Sequence, residues 1–152
     1  MKILLVCLGN ICRSPMAEGI LRDMIRKEGL PWSTDSAGTG DYHVGEAPDN
    51  RAQRATKDHG IDISDLRARQ FRASDFEEFD VLLAMDESNL KNMIRLAPNA
   101  NLASKAQLIL DHAPEVGTRE VPDPWFGEER GFDEVYDMLD RACSKVITHV
   151  RG

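Results

Sequence analysis

The stretch Lys2-Ile3-Leu4-Leu5-Val6-Cys7-Leu8-Gly9-Asn10-Ile11-Cys12-Arg13-Ser14-Pro15-Met16-Ala17-Glu18 decides how the rest of the chain is read. Its first part, Lys2 to Cys7, is an unbroken aliphatic run of strand length, which suits a strand covered on both faces in a parallel sheet. Gly9 and Asn10 interrupt the run, and both residue types tolerate positive φ, so a tight loop can form there. Pro15 fits the first turn of a helix, where its missing N–H costs nothing. Met16, Ile20 and Met24 then recur every four residues beside Leu21 and Ile25, an amphipathic helix that Gly29 and Pro31 stop. Strand, loop and helix in that order open a βα unit.

The same alternation continues outward. Trp32 to Ala37 reads as a second strand, Gly40 to Asp49 as a long loop, and Ala47-Pro48-Asp49 as the start of a helix ending at His59-Gly60. Phe79 to Met85 is another buried-strand run. Asp86 can cap the helix after it, whose Leu90, Met93, Ile94 and Ala97 lie on one side before Pro98. Leu108 to Leu110 is a fourth short strand, and His112 to Gly131 is a loop rich in Pro, Gly and charge. The last helix carries Phe132, Val135, Leu139, Ala142, Cys143, Val146 and Ile147 at helical spacing. The pattern predicts a small doubly wound α/β sheet, and the 152 residues are read as a single domain, 1–152.

Composition narrows the function. Hydrophobic residues make up 41% and charged residues 30%, as in ordinary globular proteins. No apolar run approaches the length of about 18 that spans a bilayer, and the opening run is expected to be neither signal peptide nor anchor. The 19 Lys and Arg against 26 Asp and Glu leave a net charge of -7, which argues against nucleic acid as a partner. The basic Leu66 to Gln70 segment is short and precedes the acidic Asp75 to Glu78, so it reads as solvated surface. Three cysteines cannot close a disulfide framework, and a reducing, cytoplasmic setting is expected. His43, His59, His112 and His149 have no ligand spacing, so no metal site is expected.

In open parallel sheets ligands bind beyond the carboxyl ends of the strands, where Cys7 to Ser14 lie. A loop that turns its backbone N–H groups inward and feeds a helix N-terminus makes a cradle for one phosphate. It lacks the G-x-x-x-x-G-K spacing of a triphosphate cradle. Those donors, the helix dipole and Arg13 all favour the thiolate form of Cys7, which makes it a candidate nucleophile. Arg13 can fold back and fork two N–H bonds to phosphoryl oxygens. Ser14 can donate to the sulfur and help it leave.

The segment Cys7 to Glu18 resembles the signature of the low-molecular-weight protein tyrosine phosphatases. Further similar segments are Asp35 to Thr39, His59-Gly60-Ile61, Ala68-Arg69-Gln70, Met85 to Leu90, Asp123-Pro124 and Phe132 to Tyr136, so the resemblance spans essentially the whole chain. It implies a three-layer, four-stranded parallel sheet with helices on both faces in phosphatase or flavodoxin-like order. It also implies phosphotyrosine-containing protein substrates, a cysteinyl-phosphate intermediate and no metal or cofactor. The chain is expected to be a monomer. The phosphate or a similar oxyanion would sit against Leu8, Gly9, Asn10, Ile11, Cys12 and Ser14. The resemblance assigns the general acid to Asp123, which would protonate the departing phenolate and later take the proton back from water. Cys12 is implied to trap an oxidised Cys7 as a reversible disulfide.

Tyr42, Trp125 and Phe126 are candidates for the walls of a slot that grips an aryl ring. Tyr42 departs from the tryptophan common in relatives, and Asn50 from a common proline. Leu66 stands where many relatives have a histidine that joins Ser36 and Asn10 in bracing the phosphate loop. Ser36 and Asn10 are therefore expected to brace it through another partner or a water. Three alternatives stay open. A thioredoxin-coupled arsenate reductase needs extra cysteines, which Leu82 to Asn101 lacks. A phosphoarginine phosphatase tends to have threonine where this chain has Ile11. A non-catalytic phosphate-binding module would keep the cradle without turnover.

Overall fold

The computed structural model describes all residues, Met1–Gly152. Four strands, β1 (Lys2–Cys7), β2 (Ser33–Gly38), β3 (Val81–Ala84) and β4 (Ala106–Leu108), pair only in parallel, in the order β2-β1-β3-β4. Because β1 lies between β2 and β3, the chain leaves it in one direction and later returns on the other side. The crevice beyond its carboxyl end, at Cys7, is the switch point where such sheets bind ligands.

The alternation of β1 residues sorts the core into two layers. Ile3, Leu5 and Cys7 face α1 (Arg13–Lys27), α2 (Asn50–Lys57) and α6 (Glu129–Arg151), meeting Met16, Ile20, Ala52, Leu139 and Val146. Leu4 and Val6 face the other layer, where α3 (Asp75–Glu78), α4 (Glu87–Ile94) and α5 (Ala100–Ala103) bring Phe76, Met93 and Leu102. From Ile3 to Val6 no side chain is exposed, and burying each aliphatic group stabilises the fold by about 1.5–3 kcal/mol. No helix is long and apolar enough to cross a membrane.

Several boundaries differ from the sequence expectation. The first helix starts at Arg13, two residues before Pro15, because the loop that follows β1 runs directly into it. The fourth strand is Ala106–Leu108 rather than Leu108 to Leu110. Ile109 and Leu110 are apolar because a 3-10 turn, Ile109–His112, buries them with the α6 layer. The last helix begins at Glu129, and the preceding loop contains 3-10 turns at Pro114–Val116 and Pro124–Phe126. The single-turn helices α3 and α5 had no periodicity to reveal them.

Candidate active site

The loop from Cys7 to Ser14 is held from outside by its carbonyl groups. Thr39 donates its N–H to the Cys7 carbonyl (2.9 Å), Gly40 to Leu8 (2.9 Å), Asp49 to Ile11 (2.8 Å) and Met16 to Cys12 (3.2 Å). The N–H groups of Leu8, Gly9, Ile11, Cys12 and Arg13 donate to no protein acceptor, which leaves them free to converge on an anion. Asn10 allows this path by adopting φ 58°, and its own N–H points at Cys7 Sγ from 3.3 Å.

Behind the loop lies an oriented chain of hydrogen bonds. Ser36 Oγ donates to Glu18 Oε1 (2.7 Å), so it must accept from Asn10 Nδ2 (3.0 Å). The same amide donates to Ser14 Oγ (2.8 Å), which leaves the Ser14 hydroxyl proton for Cys7 Sγ at 3.0 Å. Asn10 Oδ1 accepts the Arg69 N–H at 3.0 Å, and Arg69 is itself pinned by Asp35 and the fully buried Asp75. The brace expected to replace the missing histidine is therefore Glu18, while Leu66 packs half-buried against the larger core. Burial lifts the Glu18 carboxyl above the ordinary range, although its bond from Ser36 pulls the other way.

Arg13 is 3% exposed. Its Nη1 donates to Asp86 Oδ2 (2.6 Å) and to the Val121 carbonyl (3.0 Å), and its Nη2 lies 3.8 Å from Asp123 Oδ2. Burial alone would weaken its charge, but Cys7, then Asp86 and Asp123, keep the guanidinium firmly protonated. Asp86 thus does two things at once, since its Oδ1 caps α4 at the Asn89 N–H (2.8 Å). The sequence reading recognised only the cap.

Cys7, Leu8, Gly9, Ile11, Cys12, Arg13, Tyr42, Asp123, Trp125 and Phe126 line one pocket of about 190 Å³. Asn10, Ser14 and Ser36 lie behind the loop, where they reach the pocket through Cys7 and the backbone. Tyr42, Trp125 and Phe126 stand at the rim, with Phe126 90% exposed rather than packed under the loop. His43, dismissed in the sequence as an isolated histidine, also lines the pocket, its Nδ1 on Glu46 at 3.0 Å and its ring 5.6 Å from that of Trp125. Burial, with Asp49 and Cys7 nearby, pushes the Cys12 thiol far above the ordinary range. Cys143 is wholly buried in α6, away from this pocket.

The arrangement can hold one tetrahedral oxyanion over a sulfur, neutralise it with a guanidinium and offer a carboxyl group beside it. A family model described as low molecular weight phosphotyrosine protein phosphatase matches residues 2–152. A protein of Synechocystis sp. is 46% identical over 150 residues, which cover 97% of this chain and 95% of that one. The low molecular weight protein-tyrosine-phosphatase of Streptomyces coelicolor is 40% identical, with 99% and 93% covered. The crystal structure of a protein tyrosine phosphatase from Entamoeba histolytica superimposes with a TM-score of 0.95 at 38% identity, covering 99% of this chain and 97% of that one.

Proposed function

Since the chain belongs to the low molecular weight phosphotyrosine protein phosphatase family, we propose that it hydrolyses phosphotyrosine in proteins through a phosphorylated Cys7. The phosphate monoester enters the pocket with its ring between Tyr42, Trp125 and Phe126. Its oxygens take the loop N–H groups and the fork of Arg13. Cys7 Sγ attacks phosphorus in line, the S–P bond forms and the P–O bond to the ring breaks. Asp123 gives its proton to the departing phenolate oxygen. Water then attacks phosphorus while Asp123 takes the proton back. The S–P bond breaks, and its electron pair returns to a sulfur that Ser14 stabilises from 3.0 Å.

The observation that carries this reading is the placement of Cys7 Sγ, Arg13 and Asp123 around one pocket with unpaired loop amides. The test is hydrolysis of p-nitrophenyl phosphate by wild type, Cys7→Ser and Asp123→Ala, with acid trapping of the phosphorylated protein. Loss of both turnover and trapped phosphate in Cys7→Ser is expected. Undiminished turnover in Cys7→Ser would refute the assignment, as would turnover of phosphoarginine peptides in preference to phosphotyrosine peptides.

Finer features belong to the same reading. The chain works as one domain, 1–152, as a monomer in a reducing cytoplasm, and needs no metal or cofactor. When peroxide oxidises Cys7 to a sulfenic acid, Cys12 condenses with it, forming a disulfide and releasing water.

A further inference from the structure

We propose that Arg51 is the positioning residue for the loop that carries Asp123, and that together with Asp49 it ties this loop to the phosphate-binding loop. The proposal rests on the reading of Asp123 as general acid. Asp123 sits at the start of the Pro124–Phe126 turn, and its Oδ1 accepts the Trp125 N–H at 3.1 Å. That bond fixes the carboxyl relative to the turn, but not the turn relative to the pocket.

Arg13 holds the near side of this segment, at the Val121 carbonyl (3.0 Å), and Arg51 holds the far side. Its Nη2 donates to the Trp125 carbonyl (3.2 Å) and its Nη1 to the Gly127 carbonyl (3.1 Å), so both lie just beyond the acid. Its guanidinium lies 4.6 Å from the centre of the Phe132 ring on α6 and 5.6 Å from that of Trp125. The other side of the fork holds Asp49, with Nε on Oδ1 and Nη2 on Oδ2, both at 3.1 Å. Asp49 is anchored in turn: its carboxylate caps α2 at the Arg51 N–H (2.8 Å), and its own N–H donates to the Ile11 carbonyl (2.8 Å). Burial opposes ionisation of Asp49, yet Arg51 holds its carboxyl below the usual range.

A continuous path therefore runs from Ile11 in the phosphate loop through Asp49 and Arg51 to the backbone on either side of Phe126. A lysine could reach one of these acceptors, whereas the planar five-donor fork serves the carboxylate and both carbonyls together. The distance that matters is that from the Asp123 carboxyl to the leaving oxygen, because a general acid acts only within hydrogen-bond reach.

The experiment compares kcat/KM for phenyl phosphate, whose leaving group needs a proton, and p-nitrophenyl phosphate, whose leaving group does not. Wild type, Arg51→Met, Arg51→Lys, Asp123→Ala and the Asp123→Ala/Arg51→Met double variant are measured. Arg51→Met is expected to lose about tenfold on phenyl phosphate and under about threefold on p-nitrophenyl phosphate, a fraction of what an acid contributes. Arg51→Lys falls between, and carries the comparison if Arg51→Met does not fold. In the Asp123→Ala background, removing Arg51 should no longer change the ratio of the two substrates, since the two residues act on one step. Equal losses on both substrates, no loss, or a ratio that still changes without Asp123 would overturn the role of Arg51. An unchanged ratio in Asp123→Ala alone would instead overturn the acid assignment on which it rests.

Discussion

Asn10 is the position where the backbone and side-chain demands of the phosphate loop meet, and replacing it separates them. Its side chain makes three hydrogen bonds at a site 3% exposed, to Ser14, Ser36 and the Arg69 N–H. At about 1 kcal/mol for each such bond, removing all of them should cost about 3 kcal/mol. The backbone adds a second effect. At φ 58° a residue with a Cβ is strained by about 1–2 kcal/mol, which Asn relieves locally and glycine avoids. Asn10→Ala should therefore destabilise by about 4 kcal/mol, and Asn10→Gly by about 1 kcal/mol less. This order is the reverse of that in a helix interior, where glycine is the worse residue by about 1 kcal/mol. Urea unfolding gives both values, and the alkylation rate of Cys7 by iodoacetate reports on the loop in the folded state. Both variants should slow alkylation, because the Ser14 hydroxyl and the Asn10 N–H lose their aim at the sulfur. If alanine proved as stable as glycine, or if the total loss stayed under about 1 kcal/mol, the account of this loop would be wrong.

Three other perturbations test neighbouring parts of the argument. A Cβ on Gly38 would meet the Leu8 carbonyl oxygen at 2.7 Å and the Asn10 backbone nitrogen at 3.2 Å, so Gly38→Ala must displace the phosphate loop itself. It is expected to cost about 1–3 kcal/mol and more than about tenfold in kcat, and normal turnover in steady-state assays would contradict this. Burial holds the Glu18 carboxyl above its ordinary value of 4.5, so the folded state keeps that proton to higher pH than the unfolded chain. The resulting stability is complete below about 4.5 and is lost as pH rises through the raised value. Glu18→Gln keeps an acceptor for Ser36 and should raise the urea midpoint at pH 7 while flattening its fall as pH rises above about 4.5; an unaltered slope would count against it. Phe126→Ala removes a side chain that is 90% exposed, so stability should change by under about 0.5 kcal/mol. KM for aryl phosphates should rise about fivefold, the worth of one ring contact, and an unchanged KM would exclude Phe126 from the slot.

The opening strand, its loop and its helix were legible because each depends on near neighbours. An aliphatic run, a Gly-Asn break and Pro15 constrain the backbone within a few residues of themselves. The same locality places Cys7, Arg13 and Ser14 within one eight-residue segment that joins β1 to α1. It also explains the misreadings. Ile109 and Leu110 carry the apolarity of a strand, but their burial comes from α6, far along the chain.

What the sequence alone determined is the chemistry on offer: a thiol, a guanidinium and a run of amides within eight residues, at the end of a strand that must be buried. The folded chain decided which distant groups control that chemistry. Asp86 reaches Arg13 across 73 positions, Arg69 reaches Asn10 across 59, and Arg51 reaches the loop of Asp123 across more than 70. No periodicity encodes such pairs. Hydrogen bonds and ion pairs act over about 3 Å, and only the packing of helices on the two faces of the sheet brings these residues that close.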